Sequence, residues 1–241
     1  MQDDKTVATS SVRAIQQLRA NHILPVIATG RNVFEVQDVM AATGIDSIVS
    51  ANGSYVAYQG QFLSAHELDK ELLTDITHFA NRQQNALAYY NNAGFALSHR
   101  DALTTSNYRA LRQTARVIPH FYQHQHINFL LTFDSLNAAQ YRQRYRGRLH
   151  FVRNNPRALD TMQWGVSKAV GIQDILTKAH LTKVPTYAFG DQLNDIEMFR
   201  MIQTPIAMGN GHPQVKQLAR YVTADNMHGG IAQGLQHFDL I

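Results

Sequence analysis

Three short apolar runs, each closed by small or polar residues, constrain the fold of this chain more than any other feature of its sequence. They cover residues 23–28, 47–50 and 186–189, and the residues that follow are Thr29-Gly30-Arg31, Ala51-Asn52-Gly53 and Gly190-Asp191. Runs of this length are typical of buried strands. Because segments with helical spacing of apolar residues alternate with them over short connections, the pattern predicts parallel βα units at both ends of the chain.

The middle of the chain has a different pattern. Alternating residues through 55–66, with Gly60 at the centre, predict a hairpin. Longer strand-like runs broken by helical segments follow, at residues 86–91, 95–99, 128–133 and 149–153. This alternation of strand-like and helical segments is typical of an α+β unit whose sheet has one solvated face. We therefore predict an α/β fold, with a core domain made of residues 1–54 and 162–241 and an inserted α+β domain at 55–161.

Composition narrows the possible classes of protein. The 241 residues include no cysteine, which excludes a disulfide framework, a thiolate metal site and a cysteine nucleophile. The start of the sequence has no secretory leader pattern, and no stretch approaches the roughly 18–20 apolar residues of a membrane span. We expect a cytoplasmic protein that does not enter a membrane. The net charge of +4 favours anionic partners without requiring nucleic acid.

The ends of the predicted strands indicate where a ligand binds. In an open parallel sheet, ligands lie beyond the carboxyl ends of the strands. Hydroxyls, backbone amides and carboxylates at these ends suit a phosphate and a hard cation. Asp191 and Asp195 are four residues apart and can converge on one Mg²⁺. The alternative is that Asp195 or Asn194 caps the helix that follows.

Lys168 is a second candidate for phosphate chemistry. It follows Gly165-Val166-Ser167 at the predicted start of a helix, where a lysine supplies a point charge to a phosphate. The alternative is an exposed surface lysine.

Taken in order, these pieces resemble one known family. The segments are ATGR (28–31), ANGS (51–54), the insertion, GVSK (165–168), FGDQLNDIEMF (189–199) and AMGNG (207–211). This series resembles the haloacid dehalogenase-like hydrolases, in particular the Cof-type phosphatases that carry a large C2B cap. The resemblance covers essentially the whole chain. It implies a Rossmann-like core with helices on both faces of a parallel sheet, a cap at the insertion, Mg²⁺ as cofactor and small phosphorylated metabolites as substrates.

The resemblance also implies a role for each matching phosphate-binding residue. Thr29 matches the hydroxyl that binds the transferring phosphoryl group, and the Gly30 amide lies beside it. Lys168 matches the lysine that neutralises the phosphate and the nucleophile. Asn194 matches a polar residue near the phosphate, and Asn52 and Asn210 are candidate supporting residues at the rim.

The two acidic residues of the FGDQLNDIEMF segment match the metal-binding part of the family. Asp191 resembles the carboxylate ligand of Mg²⁺, and Asp195 resembles the second acid, which orients the metal shell. The implied reaction transfers the phosphoryl group to an aspartate, and water then hydrolyses the aspartyl phosphate. Mg²⁺ and Lys168 would stabilise charge on the phosphoryl oxygens.

One departure from the family is serious. The family begins with a strand ending in D-x-D-G-T, whose aspartates are the nucleophile and the general acid/base. This sequence begins Met1-Gln2-Asp3-Asp4, and its two aspartates are adjacent and follow no apolar run. Asp3 and Asp4 therefore do not match the pair. We expect the first central strand, between the runs at 23–28 and 186–189, to be missing and this polypeptide to be inactive or nearly so.

Two explanations for the missing pair stay open. Met1 is an internal methionine of a longer, active protein, or the chain is a degenerate member that binds phosphate without turnover. The first is favoured, because losing a central strand leaves backbone groups unpaired. The chief rival function is thus a non-catalytic phosphate- or metabolite-binding protein, and a basic nucleic-acid-associated protein is a weaker one.

A run of basic residues lies in the insertion, at Arg142, Arg144, Arg146, Arg148 and Arg153. Arginines two residues apart do not share one helical face, which argues against a nucleic-acid groove. The plain interpretation is a solvated helix followed by a strand, and the alternative is recognition of an anionic substrate. The pattern predicts no particular oligomeric state.

Overall fold

A computed structural model of the chain describes residues 7–134, 138–153 and 155–241. Asp3 and Asp4 lie outside the described residues. The helices are α1 (Thr9–Ala20), α2 (Gln37–Thr43), α3 (Lys70–Arg82), α4 (Ala102–Leu111), α5 (Phe121–His124), α6 (Ala138–Arg144), α7 (Lys168–Lys178), α8 (Ile196–Met201), α9 (Pro213–Leu218) and α10 (Gly230–His237). Within these ranges no helix has the length and apolar character needed to cross a bilayer.

The strands form three sheets. They are β1 (Ile27–Ala28), β2 (Ile48–Ser50), β3 (Tyr55–Tyr58), β4 (Gln61–Ala65), β5 (Leu87–Tyr90), β6 (Phe95–Leu97), β7 (Phe129–Thr132), β8 (Leu149–Val152), β9 (Leu159–Gln163), β10 (Tyr187–Gly190), β11 (Thr204–Ala207) and β12 (Tyr221–Val222). The sheet orders are β1-β2-β3-β4, β10-β11-β12 and β6-β5-β7-β9-β8.

Parallel βα units form at both ends of the chain. The pairs β1–β2, β10–β11 and β11–β12 are all parallel. Neighbouring residues of β10 enter different apolar clusters: Ala188 packs with α8 and α9, and Phe189 packs with α1 and α10. Because successive side chains of a strand point to opposite faces, helices cover both faces of this sheet. The predicted α/β core is confirmed.

The two core sheets share no ladder among the residues that the structure describes. In the described ranges, β1 pairs only with β2 and β10 only with β11. Strand β1 is also shorter than the apolar run that predicts it, since only Ile27 and Ala28 pair with a neighbour. Ala28 and Ala188 nevertheless pack against the same cluster from α8 and α9. A common helical layer therefore joins two sheets that share no backbone ladder within the described ranges.

The inserted sheet is antiparallel and buried on both faces. One face packs against α3, α5 and α6, through residues that include Tyr89 and Tyr141. The other face presents Tyr90, Phe129 and Met162 to α4 and to Ala51 of the core. The prediction of a solvated face is wrong, because the core lies where solvent was expected. Every residue of β5 and β7 is accordingly buried.

The hairpin at residues 55–65 forms as predicted, and its pairing bears on the domain boundary. Strand β3 pairs with β2, so the hairpin extends the first core sheet, whereas the predicted boundary placed it in the insertion. The five-stranded sheet begins only at Leu87. The division into a core of residues 1–54 and 162–241 and a cap of residues 55–161 stays a prediction.

Candidate functional site

The turn after β2 has an unusual backbone that brings its side chains to the end of β1. Ala51, Asn52 and Gly53 all have positive φ, at 48°, 55° and 97°. Asparagine and glycine tolerate this region better than other residues do. The Asn52 amide donates to the Thr29 carbonyl at 3.0 Å, which joins the turn to the end of β1.

Three strand ends meet at one point. Asn194, after β10, donates from Nδ2 to Asn52 Oδ1 at 2.8 Å. A Cβ on Gly30, after β1, would lie 3.1 Å from that same oxygen and 3.4 Å from Asn194 Nδ2. A side chain at position 30 would require these two amides to shift by a few tenths of an ångström. The structure therefore brings together Gly30, Asn52 and Asn194.

Two of the predicted phosphate-binding groups keep hydrogen-bonding capacity at this point. The Thr29 Oγ1 accepts from the Arg31 amide at 3.1 Å, which leaves its hydroxyl proton able to donate. The Oδ1 end of the Asn194 amide is buried and has no hydrogen-bond partner among the residues described. Buried polar atoms without a partner are exceptions in folded proteins, and this acceptor beside Gly30 suits a ligand's hydrogen-bond donor or a cation.

Helix α7 delivers Lys168 to the same place. The helix approaches the turn so closely that a Cβ on Gly53 would lie 2.1 Å from the Ser167 carbonyl oxygen. Lys168 is only 6% exposed, and its Nζ lies 2.7 Å from Asp195 Oδ1. Because Lys168 is buried, the alternative of an exposed surface lysine is wrong. The buried Asp195 carboxylate offsets the cost of burying the ammonium group.

Asp195 uses both of its oxygens. Oδ1 accepts from Lys168, while Oδ2 accepts from the backbone amides of Asp191 and Gln192 at 2.8 and 2.9 Å. The bond to the Gln192 amide closes the turn at Leu193–Asp195, and Asp195 makes no side-chain cap bond to α8. Asp195 therefore fixes the position of Asp191 relative to Lys168.

The acidic residues fit a magnesium ion in a limited way. The half-buried Asp191 accepts one side-chain bond, from Gln192 Nε2 at 3.3 Å. The part of the chain that the structure describes contains no group of three His, Cys, Asp or Glu side chains able to enclose a metal. Mg²⁺ commonly keeps several waters and binds through one or two carboxylates plus substrate phosphate. The donor set is compatible with that arrangement, since Asp191 offers one carboxylate and Asp195 holds the Asp191 backbone in place.

Sequence reasoning missed Asp160, which links the site to the inserted sheet. Asn52 Nδ2 donates to Asp160 Oδ2 at 3.0 Å, and both residues are buried. Asp160 lies on β9, between Leu159 and Thr161. Its one signal in the sequence is a carboxylate inside an otherwise uncharged strand. The contacts Asn194–Asn52–Asp160 form a hydrogen-bonded chain from the end of β10 to the insertion.

Replacing Asn52 tests this hydrogen-bonded chain. We expect Asn52→Ala to lower the free energy of unfolding by about 2–4 kcal/mol, because two buried hydrogen bonds are lost and alanine disfavours positive φ. Asn52→Gly, which tolerates the backbone, should recover only about 1 kcal/mol of that loss in urea unfolding. Full recovery in the glycine variant would mean that the side-chain bonds contribute nothing.

A cavity of about 430 Å³ opens beside these residues, between the core and the insertion. Asn52, Lys168 and Asn194 line one side, and the insertion contributes Arg142 and Arg153. Of the five arginines in the basic run, these two line the cavity.

The other arginines of the run follow the plain interpretation. Arg144 pairs with Asp75 at 2.7 Å and lies over the Phe79 ring at 5.0 Å. Arg146 and Arg148 are exposed.

Comparison with known proteins agrees with this geometry. The crystal structure of a hypothetical protein from Geobacillus kaustophilus superposes with a TM-score of 0.91 at 32% identity, covering 99% of this chain and 94% of that one. A structure from Bacteroides thetaiotaomicron, analysed among the phosphatases of the HAD superfamily, has the same fold, with a TM-score of 0.91 at 22% identity over 100% of this chain and 91% of that one.

A curated relative adds a named activity. The 5-amino-6-(5-phospho-D-ribitylamino)uracil phosphatase YcsE of Bacillus subtilis is 23% identical over 100% of this chain and 92% of its own length. The sequence model of one hydrolase family, finally, matches residues 1–235. Because that match spans nearly the whole chain, the protein belongs to the haloacid dehalogenase-like hydrolases, as the strand-end residues predict.

Proposed function

We propose that this protein is a phosphatase module that binds the phosphoryl group of a small phosphorylated metabolite together with Mg²⁺. The observation that carries the proposal is the buried Lys168–Asp195 pair at the point where three strand ends meet. The low dielectric constant of a buried site strengthens the attraction between a cation held there and an anion. The activity named for YcsE supports a small phosphorylated metabolite as substrate. A cytoplasmic location is part of the proposal.

Each residue has a specific role in holding the phosphoryl group. The Thr29 hydroxyl and the Gly30 amide donate hydrogen bonds to its oxygens, and the Lys168 ammonium balances their charge. Asn194, held by Asn52, borders the same space. Mg²⁺ bound at Asp191 would supply Lewis-acid stabilisation of the same oxygens. Asp195 acts through Lys168 and the Asp191 amide and is a positioning residue.

A phosphatase of this family also needs a nucleophilic aspartate that attacks phosphorus. The 241-residue sequence contains no Asp-x-Asp pair. Of the two aspartates after β10, Asp195 is paired with Lys168, and Asp191 is the proposed metal ligand. We therefore propose that the polypeptide of this sequence binds phosphate esters without appreciable turnover.

Phosphate release from an aryl phosphate with Mg²⁺ checks this proposal. We expect release at the background rate, since water attacks a bound phosphoester slowly without a nucleophilic carboxylate. Turnover that is lost in Asp191→Ala would keep the site and overturn the proposed inactivity. Turnover that persists in Asp191→Ala would show that the chemistry lies elsewhere.

A second candidate is a phosphate- or metabolite-binding protein with no catalytic role. It is favoured by the same observation, because the binding groups are assembled while the sequence lacks the nucleophile pair. The in-frame DNA upstream of Met1 distinguishes the two. Codons for a strand that ends in D-x-D-G-T favour the phosphatase, and an in-frame stop codon before such a strand favours the binding protein.

A further inference from the structure

We propose that the cavity between core and insertion selects phosphate esters whose leaving group carries a second anionic group, bound by Arg142 and Arg153. The inference rests on the proposed function, because it takes Lys168 and Asn194 as the end that holds the first phosphate. The second group is a phosphate or a carboxylate, since guanidinium groups bind both in a bidentate manner.

Both arginines line the cavity and belong to the inserted part of the chain. Arg142 belongs to α6, and Arg153 directly follows the edge strand β8. Lys168 and Asn194 line the same cavity from the core. An ester held by its phosphate at the core therefore directs its leaving group towards the arginines.

The charges of the lining residues leave the arginine side unbalanced. Lys168 is matched by Asp195 at 2.7 Å. Neither Arg142 nor Arg153 forms an ion pair within the described ranges. Glu197, which is exposed, is the one acidic residue that lines the cavity among the residues described. A bound anion would supply the missing negative charge.

Both guanidinium groups are positioned by backbone carbonyls rather than by carboxylates. Arg153 donates from Nη2 to the Asp134 carbonyl at 2.7 Å and from Nη1 to the Pro156 carbonyl at 3.4 Å. Arg142 donates from Nε to the Phe151 carbonyl at 3.4 Å. These bonds restrain the side chains and leave N–H groups for a ligand, so less conformational entropy is lost on binding.

The cavity suits a small molecule in preference to a polymer. Its volume of about 430 Å³ lies at the lower end of the range for small-molecule sites. Val152, Met162 and Val166 line it between the charged groups. These apolar side chains suit the carbon skeleton of a metabolite, with a charged group at each end.

Calorimetric binding to the 241-residue chain in Mg²⁺ tests the inference with three ligands. They are a hexose monophosphate, a hexose bisphosphate and a phosphate ester of a hydroxy acid. We expect the bisphosphate or the phospho-acid to bind about tenfold or more tightly than the monophosphate, because a charge-assisted bidentate contact is added. The ligand that binds more tightly shows whether the second anionic group is a phosphate or a carboxylate. Equal affinity for all three ligands would overturn the inference.

Charge-removing variants locate the effect. We expect Arg142→Gln and Arg153→Gln each to weaken binding of the preferred dianionic ligand by about tenfold, and to change monophosphate binding less than twofold. Arg146→Gln, from the same basic run but outside the cavity, is the matched control and should change neither affinity. Equal losses for both ligands, or an equal effect of Arg146→Gln, would overturn the inference.

Failure of the inference can be told apart from failure of the proposed function. Arg142 makes a single backbone bond, so its variant is expected to fold even if Arg153→Gln does not. Lys168→Met should weaken all three ligands together. If it weakens none of them, the phosphate site itself is wrong. If Lys168→Met weakens the binding of all three ligands, and the arginine variants change the binding of all three equally, only the proposed second anion site is wrong.

Discussion

Replacing Lys168 with methionine is expected to lower the free energy of unfolding by about 3 kcal/mol, because it leaves the Asp195 carboxylate buried without its cation. The same change should weaken phosphate binding by about tenfold or more, since it removes a buried ammonium group from the proposed phosphate site. Urea unfolding measures the first effect, and titration with inorganic phosphate in Mg²⁺ measures the second.

The pairing itself is tested by a second substitution. Asp195→Asn removes the buried charge and keeps an oxygen to accept from the Asp191 and Gln192 amides. In the Lys168→Met, Asp195→Asn double variant, stability should therefore be regained relative to Lys168→Met alone. Lys183→Met, at an exposed position, is the matched control and should leave both measurements unchanged. Additive losses in the double variant would contradict the pairing.

Replacing Gly53 with alanine is expected to lower the free energy of unfolding by about 3 kcal/mol or more, through overpacking combined with backbone strain. The new Cβ would lie 2.1 Å from the Ser167 carbonyl oxygen, at a φ of 97°. Either the turn or the start of α7 must move. Because Lys168 begins that helix, phosphate binding should weaken together with stability.

Gly60→Ala separates the two causes. Gly60 also has positive φ, at 74°, but a Cβ there would meet nothing within 4 Å. We expect this control to cost about 1 kcal/mol, from backbone strain alone, and to leave phosphate affinity unchanged. If the two alanine variants lose equal stability, the contact with Ser167 is not what requires glycine at position 53.

The core site can be predicted from local sequence because its polar residues directly follow the predicted strands. Short apolar runs predict parallel strands, and parallel strands bring their carboxyl ends to one edge. Gly30, Asn52 and Asn194 could therefore be placed near one another from the sequence, whereas the position of Lys168 beside them is implied only by the family resemblance. The specific pairing of Lys168 with Asp195 depends on how α7 packs, which the sequence pattern alone does not determine.

The contribution of the insertion could not be predicted in the same way. Asp160 reaches Asn52 across 108 positions of the chain, and only the docking of the inserted sheet on the core makes that contact. The same docking buries the sheet face that the pattern of alternating residues assigned to solvent. It also decides which arginines of the run face the cavity. Long-range packing of this kind leaves no periodic signal in the sequence.

The division of the core between the sheets of β1 and β10 has a consequence for how the core unfolds. No backbone ladder crosses between them in the part of the chain that the structure describes. Among the described residues, helix packing and side-chain contacts therefore carry the cooperativity between the two halves of the core, through Ala28, Ala188 and the helices beside them. Weakly coupled regions open as separate units, at free energies below that of global unfolding. The proposed phosphate site lies across this boundary, so a ligand that contacts both halves would make them unfold as one.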